Sequence, residues 1–276
     1  MAIPTPDTVN IDDQAEFGHE VDLTNFPIVK VGPFEVAALT QSEVVNRIVN
    51  WPEDKRPAVF NHLHVGALNF RDESTFVNAM NDADLVYADG MATVLIGRLS
   101  GAEELERAGL TDIGHDIVKA LNVRLGRPAR IAFLGGPDGL ADRAAQEMKR
   151  LHGIDPVFTA HGYRDTDEWS ETLLEVCETK PDALFIGLGM PREAIWAMEH
   201  RHELPDALVM SAGGFFGHIV GDEKRAPEWA QKTGLEWVWR VAQQPKHLGG
   251  RYAKGLFTTA KMSAEAVIAR RGNQES

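Results

Sequence analysis

Residues 129–162, ARIAFLGGPDGLADRAAQEMKRLHGIDPVFTAHG, decide the fold. The outer runs ARIAFLGG and DPVFTAHG are short, apolar and closed by glycine, the pattern of strands buried on both faces. Between them, residues 138–151 place apolar side chains at helical spacing, so the stretch reads strand, crossover helix, strand. Working outward, the same alternation repeats in PAVFNHLHV and ADLVYA upstream and in PDALFIGLG and DALVMSAGG downstream. Further helices are expected over 67–82, 91–99, 111–125, 167–179 and 192–203. Strict alternation implies parallel strands with right-handed crossovers, an α/β fold with a Rossmann-like, mostly parallel sheet covered by helices on both faces.

Ahead of this region, FPIVKVGPFEVAAL reads as a short strand pair, and Thr40 with Glu43 three residues on forms a capping-box pattern that starts a helix. Residues 1–25 are acidic and hold Pro and Asp, and they read as a flexible lead-in. No basic, apolar leader opens the chain and no apolar run of about 18 residues occurs, so membrane contact is expected to be peripheral. The single cysteine, Cys177, excludes an internal disulfide and any Cys-based zinc site, and it sits at an apolar helical position.

The far end has the opposite electrical character. The chain of 276 residues carries a formal charge of −13, yet from Lys224 to Asn273 ten Lys/Arg face three Glu. The stretch 221–252, GDEKRAPEWAQKTGLEWVWRVAQQPKHLGGRY, interleaves those cations with three Trp. Segregated positive charge beside aromatics suits a diphosphate or an anionic membrane surface; a solvated basic helix behind a Trp-rich core helix is the plainer meaning. Residues 221–276 form a basic C-terminal helical appendage in this reading, and 26–220 form the main domain. No nucleic acid is expected as a partner.

In open parallel sheets ligands sit past the carboxyl ends of the strands. Here those ends carry Asp89-Gly90, Gly135-Gly136, Tyr163, Gly189 with Pro191-Arg192, and Gly213-Gly214. Glycine at such turns lets backbone approach a phosphate, and a helix N-terminus favours an anion, though neither glycine pair completes GxGxxG or a Walker loop. Asp89 stands where a carboxylate could take a proton from a sugar hydroxyl, or could cap the helix that follows. Arg107 could pair with a diphosphate or lie on the surface, and Asp112 could cap the next helix or touch a ligand. His62 and His64 share one strand face and could join His161 at a metal, but no carboxylate or Cys has matching spacing, so hydrogen bonding to ligand or backbone is the preferred reading. No GxSxG elbow or HExxH occurs.

ADLVYADG with Arg107 downstream, LGGPDG, HGY, PDALFIGLGMP with Trp196, SAGGFFG, KRAPEW, GLEWVWR, QP and RY follow one another as in the WecG/TagA/CpsF family, glycosyltransferase family 26, which the chain resembles over roughly residues 28–255. The resemblance implies an inverting, metal-independent and cofactor-free transfer of an N-acetylhexosamine-type sugar from a UDP-sugar to a polyprenyl-diphosphate-linked saccharide. The work is done at the inner face of the cell membrane during cell-surface polymer synthesis. It makes Asp89 the catalytic base and Arg107 the diphosphate contact, and it assigns Gly135, Gly136, Tyr163, Gly189 and Pro191 to the site. The appendage then faces membrane and active site, with Arg225, Arg240 and Arg251 as its cations, and self-association is open.

Three departures stand out. Phe60-Asn61-His62-Leu63-His64 replaces the family's TxN, leaving Asn61 or His62 to make those contacts. Pro191-Arg192-Glu193-Ala194 replaces PKQE, and Gly217 stands where an aspartate follows GGxF. A non-catalytic nucleotide-sugar-binding regulator or scaffold is the alternative from another class. A Rossmann dehydrogenase is disfavoured by the missing GxGxxG and ribose-binding acid.

Overall fold

The structure, a computed structural model, describes residues 22–222 and 245–275. Two antiparallel strands, β1 (Ile28–Val31) and β2 (Phe34–Ala37), precede a six-stranded sheet of order β4-β3-β8-β7-β5-β6. Its strands are β3 (Ala58–Leu63), β4 (Leu85–Ala88), β5 (Arg130–Gly135), β6 (Asp155–Ala160), β7 (Ala183–Gly187) and β8 (Leu208–Ser211), and every pairing is parallel. The expected Rossmann-like sheet is thus present, with a register irregularity only between Ile131 and Ala132.

The strands sort their side chains with period two. Ala58 and Phe60, Leu85 and Tyr87, Ile131 and Phe133, Ala183 and Phe185, Leu208 and Met210 enter one core. That core is closed by α1 (Gln41–Val49), α4 (Leu110–Leu125), α5 (Leu140–His152) and α8 (Phe215–Ile219). The intervening residues, among them Val59, Val86, Ala132, Leu134, Leu184, Ile186 and Val209, face the opposite side. There α2 (Ser74–Asn81), α6 (Thr166–Glu178) and α7 (Arg192–Glu199) cover them. Burial on both faces is why these strands read as near-continuous apolar runs.

Helix ends follow local chemistry. Thr40 accepts from Glu43 N while the Glu43 carboxylate reaches back, the reciprocal cap expected from sequence. The helix α3 spans Met91–Leu99, the range expected for it. The stretch 67–82 instead divides into a 3-10 turn, Ala67–Phe70, and α2, because His64 Nδ1 draws in the amides of Gly66 and Ala67 at 2.9 and 3.3 Å. The helix expected over 192–203 stops at Glu199 and finishes as a 3-10 turn, Arg201–Glu203, ahead of Pro205.

A C-terminal helix runs from Pro245 to Glu275. From Gly255 onward it lies along the 3-10 turn Ala67–Phe70 and α3. Thr258 Oγ1 donates to Asn69 Oδ1 at 3.2 Å, Arg71 pairs with Glu265 at 3.2 Å, and Met262 is buried against Gly32 of the β1–β2 turn. Residues 1–21, Arg225 and Arg240 lie outside the described residues, as does the Arg251 side chain. Among the described residues no helix is long and apolar enough to cross a membrane.

Candidate active site

The carboxyl ends of β3, β4, β7 and β8 gather a polar cluster. Asp89 follows β4 directly, and its amide is tied to Leu63 O at 2.9 Å, which fixes it beside the end of β3. It does not cap α3: that helix starts from Gly90, at φ 98°, with no side-chain cap. The Asp89 side chain is 27% exposed, and its Oδ2 stands 4.0 Å from His62 Nε2.

The loop ahead of α4 closes against Asp89 from the other side. Ala108 N donates to Ala88 O at 2.8 Å, which brings Gly109 up to the carboxylate. A β-carbon on Gly109 would lie 2.7 Å from Asp89 Oδ1 and 3.4 Å from Asp112 Oδ2, so glycine there is what lets the two acids share this corner. Asp112 sits in the first turn of α4, which Gly109 caps, and it accepts a 2.5 Å bond from Arg107. Arg107 and Asp112 therefore belong to one mostly buried ion pair beside Asp89, not to the open surface.

Behind Asp89 the cluster continues inward. His62, 5% exposed, has Nδ1 at 3.2 Å from Ser211 O and its ring stacked on His64 at 5.4 Å. A carbonyl can only accept, so Nδ1 carries a hydrogen, and Nε2 is the ring nitrogen that faces Asp89. Ser211 Oγ donates to Asn61 Oδ1. Glu193 is fully buried, and its Oε2 accepts from Gly189 N at 2.9 Å and Gly213 N at 3.1 Å. One carboxylate thereby holds together the turns that follow β7 and β8. Burial pushes the Glu193 carboxyl above its ordinary value, while His62 and the backbone amides pull the other way. Burial, and then the charges of Asp89 and Glu193, pushes the Tyr87 hydroxyl well above its own.

Three buried polar atoms of this cluster have no hydrogen-bond partner: Asn61 Nδ2, the Tyr87 hydroxyl and Glu193 Oε1. Such groups are costly, and three of them lie together here.

The glycine turns occupy the other half of the same edge. Gly135, at φ 142°, lies so close to Gly187 that any side chain there would strike the Gly187 backbone, and Gly136 N donates to Gly187 O at 2.9 Å. Gly162 N reaches Gly136 O at 2.8 Å, which places Tyr163 next to this turn with 72% of its surface exposed. Arg192 opens α7 beside Pro191, its guanidinium 5.8 Å from the Trp169 ring centre. Gly213 and Gly214 follow β8. The structure thus brings Asn61, His62, Asp89, Gly90, Arg107 and Asp112 into one corner, and Gly135, Gly136, Tyr163, Gly189, Pro191, Arg192, Gly213 and Gly214 along the adjoining edge. Among the described residues no group of three or more His, Cys, Asp or Glu could hold a metal ion.

Sequence reasoning missed Glu193 and Ser211. The first was noted only as a departure at Pro191-Arg192-Glu193-Ala194; its signal was an acid in the opening turn of a helix that follows a glycine turn.

A model of the glycosyl transferase WecG/TagA/CpsF family matches residues 29–273. The chain belongs to this family. It is accordingly a glycosyltransferase, and the resemblance drawn from its motifs holds across most of its length. It is also similar to the N-acetylglucosaminyldiphosphoundecaprenol N-acetyl-beta-D-mannosaminyltransferase of Bacillus spizizenii, with 25% identity over 193 residues that span 69% of this chain and 73% of that protein.

Proposed function

We propose that this glycosyltransferase moves an N-acetylhexosamine-type sugar, with inversion and without a metal, from a UDP-sugar to a polyprenyl-diphosphate-linked saccharide in cell-surface polysaccharide synthesis. The observation that carries this reading is Asp89: a partly exposed carboxylate at the strand edge, fixed by its own backbone and flanked by His62 and the Arg107–Asp112 pair. The Bacillus spizizenii relative, whose name places an N-acetylmannosaminyl group on a lipid-linked N-acetylglucosamine, supports the donor and acceptor classes.

Asp89 takes the proton of the acceptor hydroxyl as that oxygen attacks the anomeric carbon from the face opposite the leaving group. The bond to UDP breaks with its electron pair, and the diphosphate gains charge. Arg107 and the helix N-termini beyond Gly136 and Pro191 oppose that charge, and the cations of segment 221–276, Arg225, Arg240 and Arg251 among them, complete the set. Asn61, Gly90, Gly189, Gly213 and Gly214 line the donor side, and Tyr163 offers a face for a base or sugar.

The lipid acceptor calls for a surface at the membrane. Met91 and Leu95 on α3 and Leu256 and Phe257 on the C-terminal helix are exposed, on two elements in mutual contact. With the basic charge of the arm they suit peripheral docking at the inner face of the cell membrane. Removing residues beyond Lys246 is expected to release the protein from anionic vesicles in co-sedimentation and to cut turnover on lipid-linked acceptor. Unchanged sedimentation at both low and raised salt would contradict electrostatic docking. Inversion is checked by the anomeric configuration of the product in NMR: an α-linked donor must give a β-linked product.

A further inference from the structure

We infer that His62 is the second proton acceptor of the reaction, holding the proton that Asp89 removes from the acceptor hydroxyl while Glu193 balances the resulting imidazolium. This rests on Asp89 being the base. His62 stands where the family has TxN, so the arrangement belongs to this chain's own residues.

The nearest carboxylate to the His62 imidazole is Asp89, and Glu193 lies on its inner side, beyond ion-pair distance but near enough for the charges to be felt. Its Nδ1 hydrogen is committed to Ser211 O at 3.2 Å, and Nε2 lies 4.0 Å from Asp89 Oδ2. On its inner side, His62 Nε2 and Glu193 Oε1 both lie 3.7 Å from the position a β-carbon on Gly213 would take. Glu193 Oε1 has no hydrogen-bond partner, and Oε2 is locked on two backbone amides, so this acid cannot turn away. The groups facing His62 are Asp89 and Tyr87 from β4, His64 from its own strand, Glu193 from α7 and the Ser211 carbonyl from β8. Among the described residues no Lys or Arg is one of these groups.

The acceptor O–H bond breaks, its electron pair forms the new glycosidic bond, and the proton passes to an Asp89 oxygen. The donor C–O bond breaks with its pair leaving on UDP. The proton then moves to His62 Nε2 through one bridging water, since the 4.0 Å gap is too long for direct transfer; this restores Asp89 as a carboxylate, and the proton is lost to solvent when products leave. Burial makes the Glu193 charge costly beside a neutral ring and useful beside a protonated one, so the pair is stabilised more after proton transfer than before it.

The test is steady-state transfer by the full-length chain, with UDP affinity from calorimetry. His62→Asn, whose side-chain amide falls where Nδ1 was and can still meet Ser211 O but cannot accept a proton, is expected to lower kcat about 10- to 100-fold. The donor KM and UDP affinity should stay near those of the unmodified chain, and the defect should shrink as pH rises and bulk base takes over. His62→Ala should regain turnover on addition of imidazole, which a merely structural role would not allow. Glu193→Gln should lose kcat with the same pH shape. Normal kcat and pH profile in His62→Asn, with Asp89→Asn inactive, would overturn the role of His62 and leave Asp89 in place. Failure of imidazole to rescue His62→Ala, with UDP affinity lost, would also overturn it. Full activity of Asp89→Asn would remove the base itself.

Discussion

The two edges of the same sheet are built on opposite terms. At the amino ends of the strands two acids, Asp84 and Asp182, are fully matched. Asp84 accepts from Val59 N at 2.7 Å and from Arg201 at 2.9 and 2.7 Å, while Asp182 takes a two-pronged bond from Arg127, 2.7 Å on each arm, and a third from Arg130 N. At the carboxyl ends Asn61, Tyr87 and Glu193 keep buried polar atoms without partners, and Asp89 faces His62 at a distance too long for a hydrogen bond. One edge uses its polar groups to hold strands in register; the other leaves several of them unpaired, which on the proposed function are there for substrate. Stability and chemistry are thereby separable, and substitutions can be aimed at either alone.

The largest expected effect is at the reserved edge. Asp89→Asn should lower turnover by about 10²- to 10⁴-fold, the usual worth of a general base, while the unfolding midpoint and UDP affinity stay put. At the matched edge, Arg201→Met strands Asp84 and should cost about 2–3 kcal/mol in denaturant unfolding, with turnover per folded molecule unchanged. If Arg201→Met abolished turnover in protein that remained folded, the separation would be wrong. Gly109→Ala tests the same carboxyl-end corner from the side of the backbone. Its β-carbon would crowd Asp89 Oδ1, so turnover should fall about tenfold through displacement of the base, a loss visible in kcat more than in melting.

The smallest effect belongs to neither edge. His115 and His152 share a 2.7 Å bond between α4 and α5, and burial, then the charge of His115, lowers the His152 value to about 4; burial likewise lowers His115. Between the ordinary value of 6.5 and about 4 the unfolded chain binds protons that the folded chain refuses, so stability falls as pH drops through that window. Thermal melting from pH 7 to 4 should show the decline, and His152→Gln should flatten it.

The fold was legible because its signals are local. Alternating apolar runs and helical periods located all six sheet strands, and the Thr40–Glu43 pair marked α1 without any tertiary knowledge. The corner around Asp89 was legible in part, since an acid that follows a buried strand falls at the ligand edge by topology alone. What stayed hidden depends on residues distant in sequence. Glu193 gains its meaning only when β8 lies beside β7 and brings Gly213 within 3.1 Å. Gly109 gains its own only when the chain ahead of α4 folds back on Asp89, and Arg107 is tied to Asp112 by the same return.

The most direct measurement of the whole account is transfer itself. The full-length chain would be incubated with individual UDP-N-acetylhexosamines and a short-chain polyprenyl-diphosphate N-acetylglucosamine in the presence of a chelator, and the lipid product followed by mass spectrometry. The account predicts a lipid product heavier by one N-acetylhexosamine, formed in step with UDP and absent with Asp89→Asn. UDP binding without any such product from any donor, or a product formed equally well by Asp89→Asn, would contradict it.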